Sequence, residues 1–284
     1  MIQVTAPFFE RKNIDAPRLT AEILLAHVLD CARIDLYTRF ETPLPSDKVD
    51  AYRDLVRRRA AHEPIQHLTG RTEFWSQEIK CDRRAMIPRP ETELIVEATV
   101  NLLHGESAPA IAEIGTGTGC IAVALGLQLP EASVVASDIS ADALALASEN
   151  LAAHGLADRV LLLEGDLAAP FLKRGRAVPF NALVSNPPYV TDAEMSDLMP
   201  EVRCHDPETA LRAGPDGLDL IRRLVADAPA LLKSGGFLIM EIGHDQADAV
   251  RGLLVATGRW ELQTILRDGA GIERTVVARR AEQP

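Results

Sequence analysis

The chain has 284 residues, 47% hydrophobic and 25% charged, with 4% aromatics and a net charge of −11, which allows one large domain plus a small one. Residues 1–80 carry twelve basic and twelve acidic side chains, so the whole −11 falls on the remainder; an acidic main body argues against a polyanionic duplex as a stable partner, because phosphate contacts rest on Lys and Arg. No basic-then-apolar leader opens the chain, no apolar run approaches the ~18 residues of a membrane span, and the four cysteines form no C-x-x-C pair, so a cytoplasmic chain with reduced thiols and no membrane partner is expected.

Residues 1–80 read as helical. Leu19, Ile23, Ala26 and the Leu24/Val28 pair predict a helix within 17–32, and Val49, Tyr52, Val56 and Ala60 predict another over 47–61 with Ser46 as its cap. Together they predict a small helical bundle, with Arg57-Arg58-Arg59 on a solvated face. Residues 63–89 read as a connector in which Phe74-Trp75 followed by Gln77–Lys80 suits a short hairpin. In Ile87-Pro88-Arg89-Pro90 the prolines push the preceding residues towards extended backbone. A helix follows near Glu91-Thr92-Glu93, whose carboxylates suit the positive end of a helix dipole.

From Ala110 short apolar runs at 110–114, 133–137, 160–163, 182–185 and 237–242 alternate with helical stretches such as 121–128 and 141–153. Nearly continuous apolar strands separated by helices mean a parallel sheet covered on both faces. The tail differs, since 260–267 and 274–278 flank Asp268-Gly269-Ala270-Gly271 and predict a closing antiparallel hairpin. The expected domains are therefore 1–80, a connector with the first helix at 81–109, and an α/β domain at 110–284.

Three features of the α/β part point to a ligand. Glu113-Ile114-Gly115-Thr116-Gly117-Thr118-Gly119 follows the first strand and opens a helix, a place where glycines let a ligand approach the backbone. Cys120 stands where a dinucleotide fingerprint has its third glycine, which argues against a nicotinamide or flavin dinucleotide. Asp138 closes the second strand 19 positions beyond Gly119 and can accept from both hydroxyls of a ribose. Asp166 ends the third strand and can accept from an adenine amino group with Leu167 against the ring; an aspartate in a turn with no ligand is the other reading. An adenosine ligand without pyrophosphate fits, and S-adenosylmethionine meets that description.

Asn186-Pro187-Pro188-Tyr189 lies at the C-terminal end of the fourth strand, the edge where open α/β sheets bind ligands. The prolines fix the backbone and remove its donors. The Asn186 side-chain oxygen and the Pro187 carbonyl can each accept one N–H of a planar –NH₂, aiming the nitrogen lone pair at a methyl donor, while Tyr189 covers the flat face of the target. Asn186, Pro187 and Tyr189 are the expected catalytic residues, and 186–189 together the expected substrate contacts. His62, His67, His205 and His244 show no metal-type spacing, and no metal is expected.

With these residues in view, the sequence resembles the HemK-type N5-glutamine methyltransferases that act on peptide chain release factors. The resemblance runs through Glu63–Gly70, Phe74-Trp75, Ile87–Glu93, Glu113–Gly119, Val184–Tyr189, Pro207–Leu211, Gly235-Gly236 and Asp268–Arg274. It implies an α/β, Rossmann-like seven-stranded methyltransferase sheet with an antiparallel C-terminal hairpin, plus a small N-terminal helical bundle that docks the substrate protein. It also implies methylation of the glutamine in the Gly-Gly-Gln tripeptide of class 1 release factors, by a chain expected to act as a monomer. Donor contacts carry over onto Glu113, Gly115, Thr116, Gly117, Thr118, Gly119, Asp138, Asp166, Leu167 and Asn186. Leu167 departs from the aromatic residue the family often has there, leaving an aliphatic contact. Asn-Pro-Pro-Tyr alone is shared with enzymes acting on adenine N6 or cytosine N4, the alternative reading; a non-catalytic adenosine-binding module is the third.

Overall fold

The structure, a computed structural model, describes residues 1–38, 43–172 and 179–282. Two compact units divide it, one comprising 1–71 with 199–205 and the other 72–198 with 206–284.

The smaller unit is helical. Helices α1 (Ile2–Arg11), α2 (Pro17–Leu29), α3 (Asp35–Thr38), α4 (Ser46–Ala60) and α5 (Ile65–Thr69) surround Phe9, Leu24, Leu25, Tyr52 and Leu68. Helix α1 is absent from the sequence reading, because Pro7 interrupts its pattern; the proline lies inside the helix, where it has no N–H to give the carbonyl four residues earlier. Ser46 is the first residue of α4 and makes no side-chain cap, since the residue before it is Pro45. The three arginines of α4 separate. Arg57 is exposed beside Asp54, Arg58 grips Glu63 at 2.8 and 2.7 Å, and Arg59, buried, reaches Glu201 at 3.0 Å. Arg59 thus departs from the solvated face that the sequence suggested. Residues 199–205 carry the short helix that supplies Glu201, a long-range addition that no periodicity reveals.

The larger unit opens with a hairpin of β1 (Arg71–Phe74) and β2 (Gln77–Lys80). Trp75 and Ser76 form its turn with φ of +52° and +58°, a left-handed pair that matches strand twist. Helix α6 (Glu93–Leu103) follows a 3₁₀ turn at Pro90–Thr92. The main sheet is ordered β5-β4-β3-β6-β7-β9-β8, with β3 (Ala110–Ile114), β4 (Ser133–Asp138), β5 (Val160–Glu164), β6 (Phe180–Ser185) and β7 (Leu232–Glu241) parallel. Strands β8 (Trp260–Arg267) and β9 (Glu273–Arg280) are antiparallel to their neighbours and close it.

Successive side chains of a strand face opposite sides, and here both sides are cores. Ile111, Val134, Val184 and Ile239 pack in one, while Ala112, Ile114, Leu183, Leu238 and Met240 pack in the other. Among the helices covering these faces are α7 (Cys120–Gln128), α8 (Ala141–Ala153), α9 (Asp219–Asp227) and α10 (Ala247–Thr257). The connection leaves β3 for β4 and β5 on one side, then returns to β6 on the other. That reversal opens a crevice at the carboxyl ends of β3 and β6.

One buried side chain ties the hairpin to this edge. Asn150 of α8 accepts from Lys80 N at 2.8 Å and donates to Lys80 O at 3.1 Å and Thr118 O at 2.8 Å. Replacing it by alanine orphans three backbone groups, so Asn150→Ala is expected to lower unfolding free energy by about 2–3 kcal/mol. Urea denaturation checks this, and a loss below about 0.5 kcal/mol would show that water replaces the amide.

Candidate active site

Four strand ends converge on a cavity of about 420 Å³ lined by Gly115–Thr118, Asp138, Ile139, Leu167, Asn186 and Pro188, among others. Its floor is the loop after β3. Gly115 N and Thr116 N donate to Ser137 O at 2.8 and 2.9 Å, Gly117 N donates to Asp138 Oδ2 at 2.9 Å, and Gly119 N donates to Thr116 O at 2.8 Å. These amides are spent inside the protein and do not form a phosphate cradle. The loop shapes a wall for a ligand instead of holding its charge.

Gly115 and Gly119 have φ of +76° and +80°, which side-chain-bearing residues rarely adopt. At Gly119 a Cβ would also lie 3.1 Å from the Cα and Cβ of Ala147 on α8. The glycine is required there for helix packing, and Gly119 does not line the cavity.

Asp138 ends β4 with Oδ2 accepting from Gly117 N and Oδ1 accepting from Ser140 N, both at 2.9 Å. Each oxygen keeps a lone pair for a further donor, the arrangement a ribose diol needs. Ser140 caps α8, its Oγ accepting from Ala143 N at 3.2 Å, so Asp138 is free of the capping role. Asp166 is half-exposed and paired with Arg223 Nη2 at 2.5 Å. Both line the cavity with Leu167, whose φ is +46°.

Glu113 sits beneath the loop, fully buried, and does not line the cavity. Neither oxygen makes a hydrogen bond of full geometry. Burial pushes its carboxyl up to about 8; the Thr116 hydroxyl and the Ala122 amide oppose that only in part, and the charge of Asp138 adds to it.

Asn186 reaches the cavity from the end of β6, while Pro187 is buried and outside the lining. The Asn186 Nδ2 donates to Thr92 Oγ1 at 3.0 Å. The hydroxyl of Thr92 donates to Glu241 Oε2 at 2.6 Å, and that of Tyr189 to Glu241 Oε1 at 3.0 Å. Tyr189 is further held by Gln246 Nε2, which donates to its carbonyl at 3.0 Å. The ring is anchored through its hydroxyl and lies outside the cavity lining. Arg89 Nη2 pairs with the buried Asp206 Oδ2 at 2.7 Å, a bracing role.

Sequence reasoning missed Thr92, Ile139, Arg223 and Glu241. Ile139 is 60% exposed although apolar, because it faces the cavity directly after Asp138. Glu241 carries a readable signal, a carboxylate ending the apolar run of β7. Thr92 and Arg223 meet their partners across long stretches of sequence and leave no local sign. A mostly apolar cavity with one ribose-type carboxylate and a loop whose amides are consumed fits an adenosine donor such as S-adenosylmethionine. A group of at least three His, Cys, Asp or Glu able to hold a metal ion does not occur among the described residues.

Residues 1–70 match the PrmC N-terminal domain, and residues 92–214 match the methyltransferase small domain. The release factor glutamine methyltransferase of Chlorobaculum tepidum is 41% identical over 259 residues, covering 89% of this chain and 88% of that protein. The one of Moorella thermoacetica is 42% identical over 271 residues, covering 95% and 94%. Among solved structures, the hMettl16 catalytic domain in complex with a 3′UTR hairpin aligns with a TM-score of 0.59 at 18% identity, over 72% of this chain and 76% of that one. That last likeness is one of fold alone.

Two outcomes are expected. Asp138→Ala removes the acceptor of two amides and the lone pairs suited to a ribose diol, and should weaken S-adenosylmethionine binding roughly 10- to 100-fold by titration calorimetry; unchanged affinity would remove Asp138 from the donor site. For Glu113, the folded chain keeps a proton that the unfolded chain releases above its ordinary 4.5, so its stabilisation is full below that pH and lost as pH rises to about 8. Thermal melts of Glu113→Gln, a neutral mimic, should therefore rise relative to the parent across that interval. Parallel curves would mean the carboxyl ionises normally.

Proposed function

The chain belongs to the family of release factor glutamine methyltransferases, and on that premise we propose that it transfers the methyl of S-adenosylmethionine to the side-chain nitrogen of the glutamine in the Gly-Gly-Gln tripeptide of a class 1 peptide chain release factor. The observation that carries the reading is Asn186, on the rim of the cavity that Asp138 and the glycine loop share, with its Nδ2 already bound to Thr92. Its Oδ1 is left to accept from an incoming –NH₂.

S-adenosylmethionine supplies a sulfonium-bound methyl carbon as the electrophile. The chain supplies alignment. An amide nitrogen is a poor nucleophile, since its lone pair is delocalised into the carbonyl. Asn186 Oδ1 and the Pro187 carbonyl accept the two N–H groups, hold the plane of the –NH₂ in place and direct the lone pair on its face towards the donor. Positioning of this kind is worth roughly 7–11 kcal/mol of barrier. No strong base is required first, because the nitrogen becomes acidic on methylation and the proton then passes to solvent.

The donor contacts are proposed as Gly115, Thr116, Gly117, Thr118, Asp138, Asp166, Leu167 and Asn186, with Ile139 added and Glu113 and Gly119 acting through the loop's shape. Tyr189 holds the strand end in place through Glu241. The helical unit of 1–71 is proposed to dock the release factor. Monomeric action in the cytoplasm is part of the proposal, and the acidic main body accords with the lack of a stable nucleic-acid partner. Among the described residues no helix is long and apolar enough to cross a membrane.

The test is incubation with release factor and labelled donor, followed by mass analysis of the tripeptide-bearing fragment. One added methyl on the glutamine is expected, abolished when that glutamine is replaced; labelling that persists elsewhere would defeat the assignment. Asn186→Ala should lower kcat roughly 10- to 100-fold through the lost acceptor.

A further inference from the structure

From the chain of hydrogen bonds behind Asn186 we infer that Glu241, acting through Thr92, is the positioning residue that decides which end of the Asn186 amide faces the target. The inference rests on the proposed amide methylation.

The two ends of an asparagine amide are nearly the same shape, so packing alone does not choose between them. The choice is made by proton inventory. Thr92 owns one hydroxyl proton, and it lies 2.6 Å from Glu241 Oε2, an acceptor when ionised. With that proton committed, the Thr92 oxygen can only accept from Asn186, so Nδ2 must face it, at 3.0 Å. Oδ1 then faces the cavity. The second Glu241 oxygen takes the Tyr189 hydroxyl at 3.0 Å, so one buried carboxylate fixes both ends of the reacting segment. Thr92 and Glu241 are 3% and 2% exposed, which keeps water from scrambling the order. Burial pushes the Glu241 carboxyl up from its ordinary range, while Thr92, Tyr189 and Arg274 favour its charged form and Glu91 opposes it. The Tyr189 hydroxyl is also pushed up, by burial first and by Glu241 next, so it remains a donor.

Without the carboxylate the Thr92 proton is free to turn to Asn186 Oδ1. The amide then flips and presents Nδ2 to the target, setting N–H against N–H. The function therefore depends on a residue that touches no reacting atom.

The test combines kinetics with magnetic resonance. Thr92→Val and Glu241→Leu should each lower kcat roughly 10-fold or more, with S-adenosylmethionine Kd held within about threefold. Thr92→Ser, which keeps the hydroxyl, should restore kcat to within about threefold of the parent. Melting curves show whether each variant is folded. In the parent, Asn186 side-chain amide protons should show close contacts to the Thr92 side chain, lost in Glu241→Leu. Retained kcat in folded Thr92→Val or Glu241→Leu would overturn the inference, as would a Thr92→Ser variant as slow as Thr92→Val. The resonance result decides the amide orientation by itself: amide protons facing away from Thr92 in the parent also overturn it. Failure of the parent enzyme to methylate the release factor would instead count against the substrate assignment.

Discussion

Parallel strands force their carboxyl ends onto a single edge, and in this sheet the chain changes direction between β3 and β6. Everything chemical in the larger unit follows from that constraint. The helices must diverge on either side of the reversal, which leaves a cavity that no core side chain fills. The glycine loop, Asp138, the Asp166 turn and Asn186 enter it because each is the last residue of a strand or lies one or two residues beyond it. Glu241 ends β7 in the same way, one strand further on. Because the strands are buried on both faces, small shifts of register are expensive, and the spacing between these polar ends is set by two packed cores.

The chemistry exploits rigidity more than acid–base strength. In the proposed transfer no group in the cavity has to remove a proton before the methyl moves; what matters there is that two oxygen acceptors meet an –NH₂ in the correct plane. Two prolines supply part of the stiffness at the end of β6. Buried Thr92 and Glu241 supply the rest, and Gln246 holds the Tyr189 carbonyl from the other side. The loop contributes similarly. By consuming its amides on Ser137 and Asp138 it forms a stiff wall with little positive field, suited to a donor that carries its own positive charge at sulfur.

Much of this was legible in the sequence where the pattern is local. The five parallel strands and the closing hairpin lie at or within a few residues of the expected places, because period-2 and uninterrupted apolar runs report burial directly. Gly115, Asp138 and Asn186 were recognisable since each sits beside a strand end. The rest was hidden for physical reasons. Thr92 and Glu241 are 149 residues apart and meet only in the folded chain. Glu113 looked like part of the donor site by adjacency, yet strand alternation turns it beneath the loop. Helix α1 was masked by Pro7, and residues 199–205 join the helical unit from deep within the other.

The most direct measurement is a crystal structure of the chain with S-adenosylhomocysteine and its release factor. The account predicts the glutamine side-chain nitrogen at about 3 Å from both Asn186 Oδ1 and the Pro187 carbonyl, with Asp138 on the ribose. A glutamine amide accepted by other groups, or an Asn186 whose Nδ2 faces the target, would contradict it.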